Sequence, residues 1–315
     1  MTLQPQEHAP AFSAPATGDK KLSLSDFAGR TLVLYFYPRD NTPGCTQEGE
    51  AFRDLYDEFK AAGADIICFS ENFNLFWAPP DGTPAPELLD NEWTATAAGL
   101  AAEHGIYIIL PGLFLHEGIR RNAALLFDTA GEIQGWYFKS HLTRTEKQVD
   151  IIAGDELPVF ELPFGRIGIL ICHDLSYPET ARVLGLKQAD IIFWPSAWSG
   201  WGDELSMTLI KSRAIDNSLY LAFVSRGQGP ADPKWVSGVA SRSCIVNPEG
   251  LMLATAERFP CLLTCTIDLD RERIAPGYSF GSDPFRRTML AERRPELYGA
   301  LVDPGFVPPH PANGS

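Results

Sequence analysis

Short apolar runs alternate with amphipathic stretches along this chain, and that alternation predicts strands interleaved with helices. TLVLYFY (31–37) and ADIICFS (64–70) are rich in β-branched and aromatic residues and read as buried strands. Between them Phe52, Leu55, Tyr56 and Phe59 recur at i, i+3, i+4 and i+7, an amphipathic helix that Gly63 closes. The unit is β-α-β, with a parallel pair and a right-handed crossover. Further along, 93–105 reads as helix, 106–115 as strand, 122–139 as a hairpin around Asp128–Gly131, and 164–172 as a strand ending on Cys172. Helices are expected at 177–188, with Pro178 in the first turn, and at 203–217. Strands are expected at 189–198, 219–226, 241–248 and 261–269. Residues 1–22 read as an irregular lead-in and 299–315 as a flexible, Pro-rich tail. Strands alternating with helices predict an α/β layered protein.

Composition narrows the function. The 315 residues are 45% hydrophobic and 21% charged, enough to bury a sizeable core as one large domain or two smaller ones. A net charge of −14 repels a phosphate backbone, so no nucleic-acid partner is expected. No apolar run is long enough for a membrane helix, and the first residues lack the basic and apolar regions of a signal peptide. A cytoplasmic setting is therefore expected. The six cysteines form no CxxC pair and no Cys/His ligand spacing, so neither a metal nor a disulfide framework is expected. Cys68, Cys244, Cys261 and Cys265 sit inside apolar runs and read as buried small hydrophobes. Cys45 and Cys172 differ, since each follows a strand-like run and is flanked by turn or polar residues.

Three segments end strands on a polar, reactive residue: CFSENF on Glu71, GWYFKSHL on Lys139 and GILICHDLSYPE on Cys172. Ligands gather at the carboxyl ends of strands in open α/β folds. A thiol, an ammonium and a carboxylate converging there supply what amide hydrolysis needs: a nucleophile, an oxyanion stabiliser and a proton carrier. Taken singly, each residue has a plainer reading, a core cysteine or a solvated strand-end charge.

Residues from about 64 to 298 resemble the nitrilase, or carbon–nitrogen hydrolase, superfamily. FSENF resembles the strand end bearing that family's general base, which implies the role for Glu71. YFKSHL resembles its lysine segment, which implies Lys139, and ICHDLSYPE resembles its nucleophile motif, which implies Cys172. The separations of 68 and 33 residues are close to the family's own. Glu146 stands where many members carry a second glutamate, an auxiliary that holds the lysine and the substrate. The backbone N–H of His173 matches an oxyanion-hole donor, and its ring either tunes the thiol or merely lines the pocket. Ser70 and Ala153 replace prolines common in the family but remove no reacting group.

Residues 8–70 resemble instead the front half of a bacterioferritin-comigratory-type peroxiredoxin, with Pro38, Thr42 and Cys45 matching its P-x-x-x-T-x-x-C signature. A cysteine in the first turn of a helix feels the positive end of the dipole, which favours its thiolate. The later strands and arginine of that family have no counterpart here, and Glu50 stands where relatives often carry a resolving cysteine. Half a thioredoxin-like fold leaves a sheet edge unpaired.

The two resemblances together imply a nitrilase-type four-layer α-β-β-α sandwich whose first β-α-β unit is peroxiredoxin-like. They divide the chain into 1–70 (the integrated segment), 71–298 (the hydrolase domain) and 299–315 (the tail). The implied function is hydrolysis of a small amide or carbamoyl compound, without cofactor or metal, in a homodimer or larger assembly. The alternatives are a thiol peroxidase acting through Cys45 and a nitrilase-like fold impaired by the graft. Trp77, Trp198 and Trp201 are candidates for an aromatic pocket wall or for core or interface positions.

Overall fold

Buried β-branched residues set the architecture. The computed structural model describes residues 13–16, 20–23, 31–35, 64–71, 85–197, 202–225, 242–256, 263–269 and 290–306. The chain divides into two units, Met1–Arg271 and Glu272–Ser315. Described strands are β1 (Ser13–Ala16), β2 (Lys20–Ser23), β3 (Thr31–Tyr35), β4 (Ala64–Cys68), β5 (Tyr107–His116), β6 (Ile119–Phe127) and β7 (Ile133–Phe138). They continue with β8 (Val159–Leu162), β9 (Gly165–Ile169), β10 (Ile191–Ser196), β11 (Tyr220–Ser225), β12 (Cys244–Val246), β13 (Met252–Thr255) and β14 (Leu263–Ile267). The described helices of the first unit are α1 (Glu92–His104), α2 (Arg144–Gln148), α3 (Pro178–Leu186) and α4 (Gly202–Asn217).

Two six-stranded sheets result, β14-β3-β4-β5-β6-β7 and β13-β12-β11-β10-β9-β8. Each has three parallel strands at its centre: β3, β4 and β5 in one, β9, β10 and β11 in the other. Each continues into two antiparallel strands and is closed on the other side by one antiparallel strand, β14 or β8. The two sheets therefore repeat one pairing pattern, with β3 in the first at the position of β9 in the second, although β14 reaches its edge from the far end of the chain whereas β8 directly precedes β9.

Side-chain alternation builds the layers. On β4, Ile66 and Cys68 join a core with residues of β9, β10 and β11, whereas Ile67, and Phe69 just after the strand, join a second core with Ala97 and Ala101 of α1. On β6, Ala124 and Leu126 face the first core and Ala123, Leu125 and Phe127 the second. Leu184 of α3 and Ile210 of α4 cover the second sheet. The order is helix, sheet, sheet, helix, the expected sandwich. Burying each such Ile or Leu is worth about 1.5–3 kcal/mol. α1 starts where the Asn91 side chain accepts from the backbone N–H groups of Trp93 and Thr94, and it stops at Gly105, whose φ of 66° is left-handed.

The structure corrects several sequence expectations. The hairpin at 122–139 is part of a three-stranded meander, because β5 turns at Glu117 (φ 53°) and Gly118 (φ 73°) directly into β6. The lead-in contains an antiparallel pair, β1 with β2. β8 and β13 were not anticipated, being four-residue edge strands with partly exposed side chains. The strand over 164–172 stops at Ile169, and Cys172–Ser176 forms a 3₁₀ turn. Cys265 is half-buried rather than buried. In the second unit, Pro295–Leu297 is a 3₁₀ turn and Gly299–Val302 a short helix, α5, within the stretch read as tail. The expected helix before Gly63, the tryptophans Trp77, Trp198 and Trp201, Cys261, and the trio Pro38, Thr42 and Cys45 lie outside the described residues.

Candidate active site

Lys139 follows β7, whose Tyr137 points between the sheets, and by two-residue alternation the lysine points there too. Across the ladder its N–H donates to the Asn122 carbonyl (2.9 Å), so Asn122 within β6 stands opposite Lys139 just past the end of β7. Gly154 donates to the Lys139 carbonyl (3.0 Å), fixing the strand end from the far side. A Cβ at Gly154 would lie 2.7 Å from the Phe138 Cβ, closer than packing allows.

Glu71 comes three residues after β4, and Glu146 is held by the capping box of α2, with Thr143 N donating to its Oε2 at 2.7 Å. Lys139 Nζ donates to Glu71 Oε1 at 2.7 Å and to both oxygens of Glu146 at 2.9 and 3.0 Å. Asn122 Nδ2 bridges the same two carboxylates, at 2.8 Å from Glu71 Oε1 and 2.7 Å from Glu146 Oε1. The Ala197 N–H donates to Glu71 Oε2 (2.8 Å). Lys139, Glu146, Asn122 and Glu71 are all 3% exposed or less. A charge cluster this dry survives only because every ion is paired and hydrogen-bonded.

Cys172 completes the group. Its φ of 41° lies in the left-handed region, strained for a residue with a side chain, and its thiol lies within electrostatic reach of Glu71, Lys139 and Ser196. Asp174 fastens this turn to the lysine strand. Its Oδ2 accepts from Ile171 N (2.9 Å) and Tyr137 OH (2.7 Å), and its Oδ1 accepts from His141 N and Ser140 Oγ (both 3.0 Å). Arg213 of α4 donates to the Leu175 carbonyl (2.9 Å) from below.

The electrostatics follow from burial and pairing. Burial alone would lower the Lys139 pKa, but the charge of Glu71 and its neighbours overrides it and holds the ammonium above the usual lysine range. Burial, seconded by the Glu71 charge, pushes the Cys172 thiol well above the usual range despite the nearby lysine, so the resting sulfur is protonated. Burial opposes ionisation of Glu146, yet Lys139, Asn122 and Thr143 bring its pKa below the usual range. Burial and then the Lys139 charge lower the pKa of His173, leaving its ring neutral at pH 7. That ring lies 3.3 Å from Ser176 Oγ and edge-on to Tyr177. Cys68, Cys244 and Cys265 are pushed up by burial, Cys244 to about 12 and Cys265 to about 11.

Glu71, Lys139 and Glu146 thus share one hydrogen-bonded cluster with Asn122, and Cys172 and His173 adjoin it. Sequence reasoning missed Asn122, Ser196 and the clasp of Tyr137 and Ser140 on Asp174. A buried Asn in the apolar run after Arg120–Arg121 was the only local signal for the first of these. A protonated thiol beside a paired carboxylate and a fixed ammonium can attack an electrophilic carbonyl with proton transfer to the carboxylate.

The model of the carbon–nitrogen hydrolase family matches residues 50–276. It begins twenty residues before Ser70, so the stretch that resembles a peroxiredoxin overlaps it. The omega-amidase NIT2 of Xenopus tropicalis is 28% identical over 260 residues, 78% of this chain and 88% of that one. An amidase from Nesterenkonia sp. has the same fold, with a TM-score of 0.71 at 20% identity over 87% of this chain and 97% of that one. Another structure of that amidase carries the acetamide moiety of fluoroacetamide covalently at the active-site cysteine. Peroxiredoxin Q of Suaeda salsa is 52% identical over 61 residues, 19% of this chain and 28% of that protein, a length comparable to that of residues 8–70.

Proposed function

Since the chain belongs to the carbon–nitrogen hydrolase family, we propose that it is an amidase that cleaves a small carboxylic amide through a thioester on Cys172. Glu71 takes the thiol proton as Sγ attacks the carbonyl carbon and the C–S bond forms. Lys139 Nζ stabilises the negative charge that develops on oxygen, joined by the His173 backbone N–H. Collapse of the tetrahedral intermediate breaks the C–N bond, and the proton held by Glu71 leaves with the nitrogen as ammonia or an amine. Water then attacks the thioester after giving a proton to Glu71. The C–S bond breaks, sulfur regains the proton and the carboxylic acid departs. Glu146 keeps Lys139 charged and oriented.

The observation that supports this reading most is the buried Glu71 carboxylate that contacts Lys139 Nζ at 2.7 Å and lies close enough to Cys172 for its charge to act on the thiol. A thiol pushed up by burial cannot ionise alone near pH 7 and needs an adjacent base. The test is ammonia release over a panel of amides, including the ω-amides on which the frog relative's name bears. Activity lost in Cys172→Ala and kept in Cys45→Ala supports the assignment; equal losses defeat it.

A second reading rests on the 61-residue match to peroxiredoxin Q. Cys45 is a peroxide-sensitive thiol without efficient turnover, since Glu50 stands in place of a resolving cysteine. Mass spectrometry after a peroxide pulse should rank Cys45 above Cys68 and Cys244 in oxidation. Sustained peroxidase cycling with an external thiol would promote this reading to the main one.

A further inference from the structure

We propose that Asn122 is a positioning residue of the acid–base array, keeping Glu71 and Glu146 ionised side by side against one lysine. The inference rests on the amidase reading above and concerns a residue that contacts the base rather than the substrate. Its Nδ2 is the only group among the described residues that donates to both carboxylates besides Lys139, with bonds of 2.8 and 2.7 Å. Two carboxylates sharing one ammonium carry a net negative charge, and like charges in a dry site drive one of the pair to take up a proton. A proton resting on Glu71 would abolish the base. Two N–H bonds, one to each carboxylate, favour the doubly ionised form at a site that Lys139 alone leaves under-neutralised.

The rest of the side chain supports donation as its role. Asn122 Oδ1 is buried without a hydrogen-bond partner, so the amide satisfies the carboxylates while leaving its own carbonyl unpaired. The reverse orientation would set that oxygen against Glu71 and Glu146. Other charged or titratable groups around the array are Lys139 and Cys172, with His173 close enough to feel both Lys139 and Glu146. The neighbours Arg120 and Arg121 on β6 are turned to the carbonyls of Val149, Ile152 and Ala153 and do not replace the amide.

The test reads the sulfur and needs no knowledge of the natural substrate. Alkylation of Cys172 in the full chain by iodoacetamide is followed from pH 4 to 9 by peptide mass spectrometry, in wild type, Asn122→Leu, Asn122→Asp and Glu71→Gln. In wild type the rate should fall on the acid side as the carboxylate array protonates, and Glu71→Gln should remove that limb. Asn122→Leu should move the limb up by about one pH unit, the scale of a lost hydrogen bond to a charged group. Asn122→Asp, nearly the same shape, should move it further by adding a third carboxyl, and it serves if the leucine variant fails to fold. A limb that stays within about 0.2 pH unit in a folded Asn122 variant, while Glu71→Gln removes it, overturns the inference and leaves the amidase reading standing. A Cys172 profile identical in wild type and Glu71→Gln overturns the base assignment, and the inference with it.

Discussion

Lys139 is the residue on which the site's charges meet, so its removal should be costly twice over. Lys139→Ala takes away the oxyanion stabiliser, worth roughly 10²–10³-fold in rate. It also leaves Glu71 and Glu146 buried without their cation, an uncompensated charge that typically costs about 3–5 kcal/mol. Ammonia release and urea unfolding measure the two effects; a loss under about tenfold in rate would remove Lys139 from the chemistry. Glu146 supplies a pH signature. Its folded pKa lies below the ordinary value of 4.5, so its stabilising contribution is fully present above that value and is lost as pH falls through the folded pKa. Glu146→Gln should therefore flatten the dependence of unfolding free energy on pH below about 4.5, seen in urea melts at successive pH values. An unchanged acid slope would mean that Glu146 is not ionised in the folded protein.

At the scale of elements, reactive groups are set at strand ends and then tied laterally. Gly154 shows how tightly. Gly154→Ala would drive a methyl group into the backbone and Cβ of Phe138, the residue before Lys139. The expected outcome is a stability loss of about 1–3 kcal/mol with a drop in kcat, read by thermal melts and steady-state kinetics. The charged ends of β4 and β7 were legible because a continuous apolar run that stops on Glu or Lys is a local pattern. The break before Cys172 was not, since GILIC is apolar throughout and only Asp174, accepting from Ile171, turns the chain out of the strand. Asn122 was illegible for another reason. Its partners lie 51 and 24 residues away, so nothing in IRRNAALLF marks it as part of a charge cluster. The edge strands β8 and β13 escaped because half-exposed positions dilute the alternation that identifies a strand.

For the whole molecule, β3 and β4 serve as the first strands of the parallel centre of one sheet. β3 pairs on one side with β4 and on the other with β14, so its deletion would leave two rows of backbone groups unpaired. A chain starting at Ala64 should be insoluble or inactive, as solubility and ammonia release would report; full activity would show that the leading segment is dispensable. The segment's resemblance to a different family was plain from its residues, and so were its two parallel strands, β3 and β4. Its fit into a doubled sheet pattern could not be read there, because that pattern depends on β14, some 230 residues later. The most direct test of the central claim is peptide mapping of the full-length enzyme quenched with acid during turnover of an amide that releases ammonia. An acyl mass is expected on the Cys172 peptide and absent in Cys172→Ala. Ammonia release with no adduct there, or with the acyl group on Cys45, would contradict it.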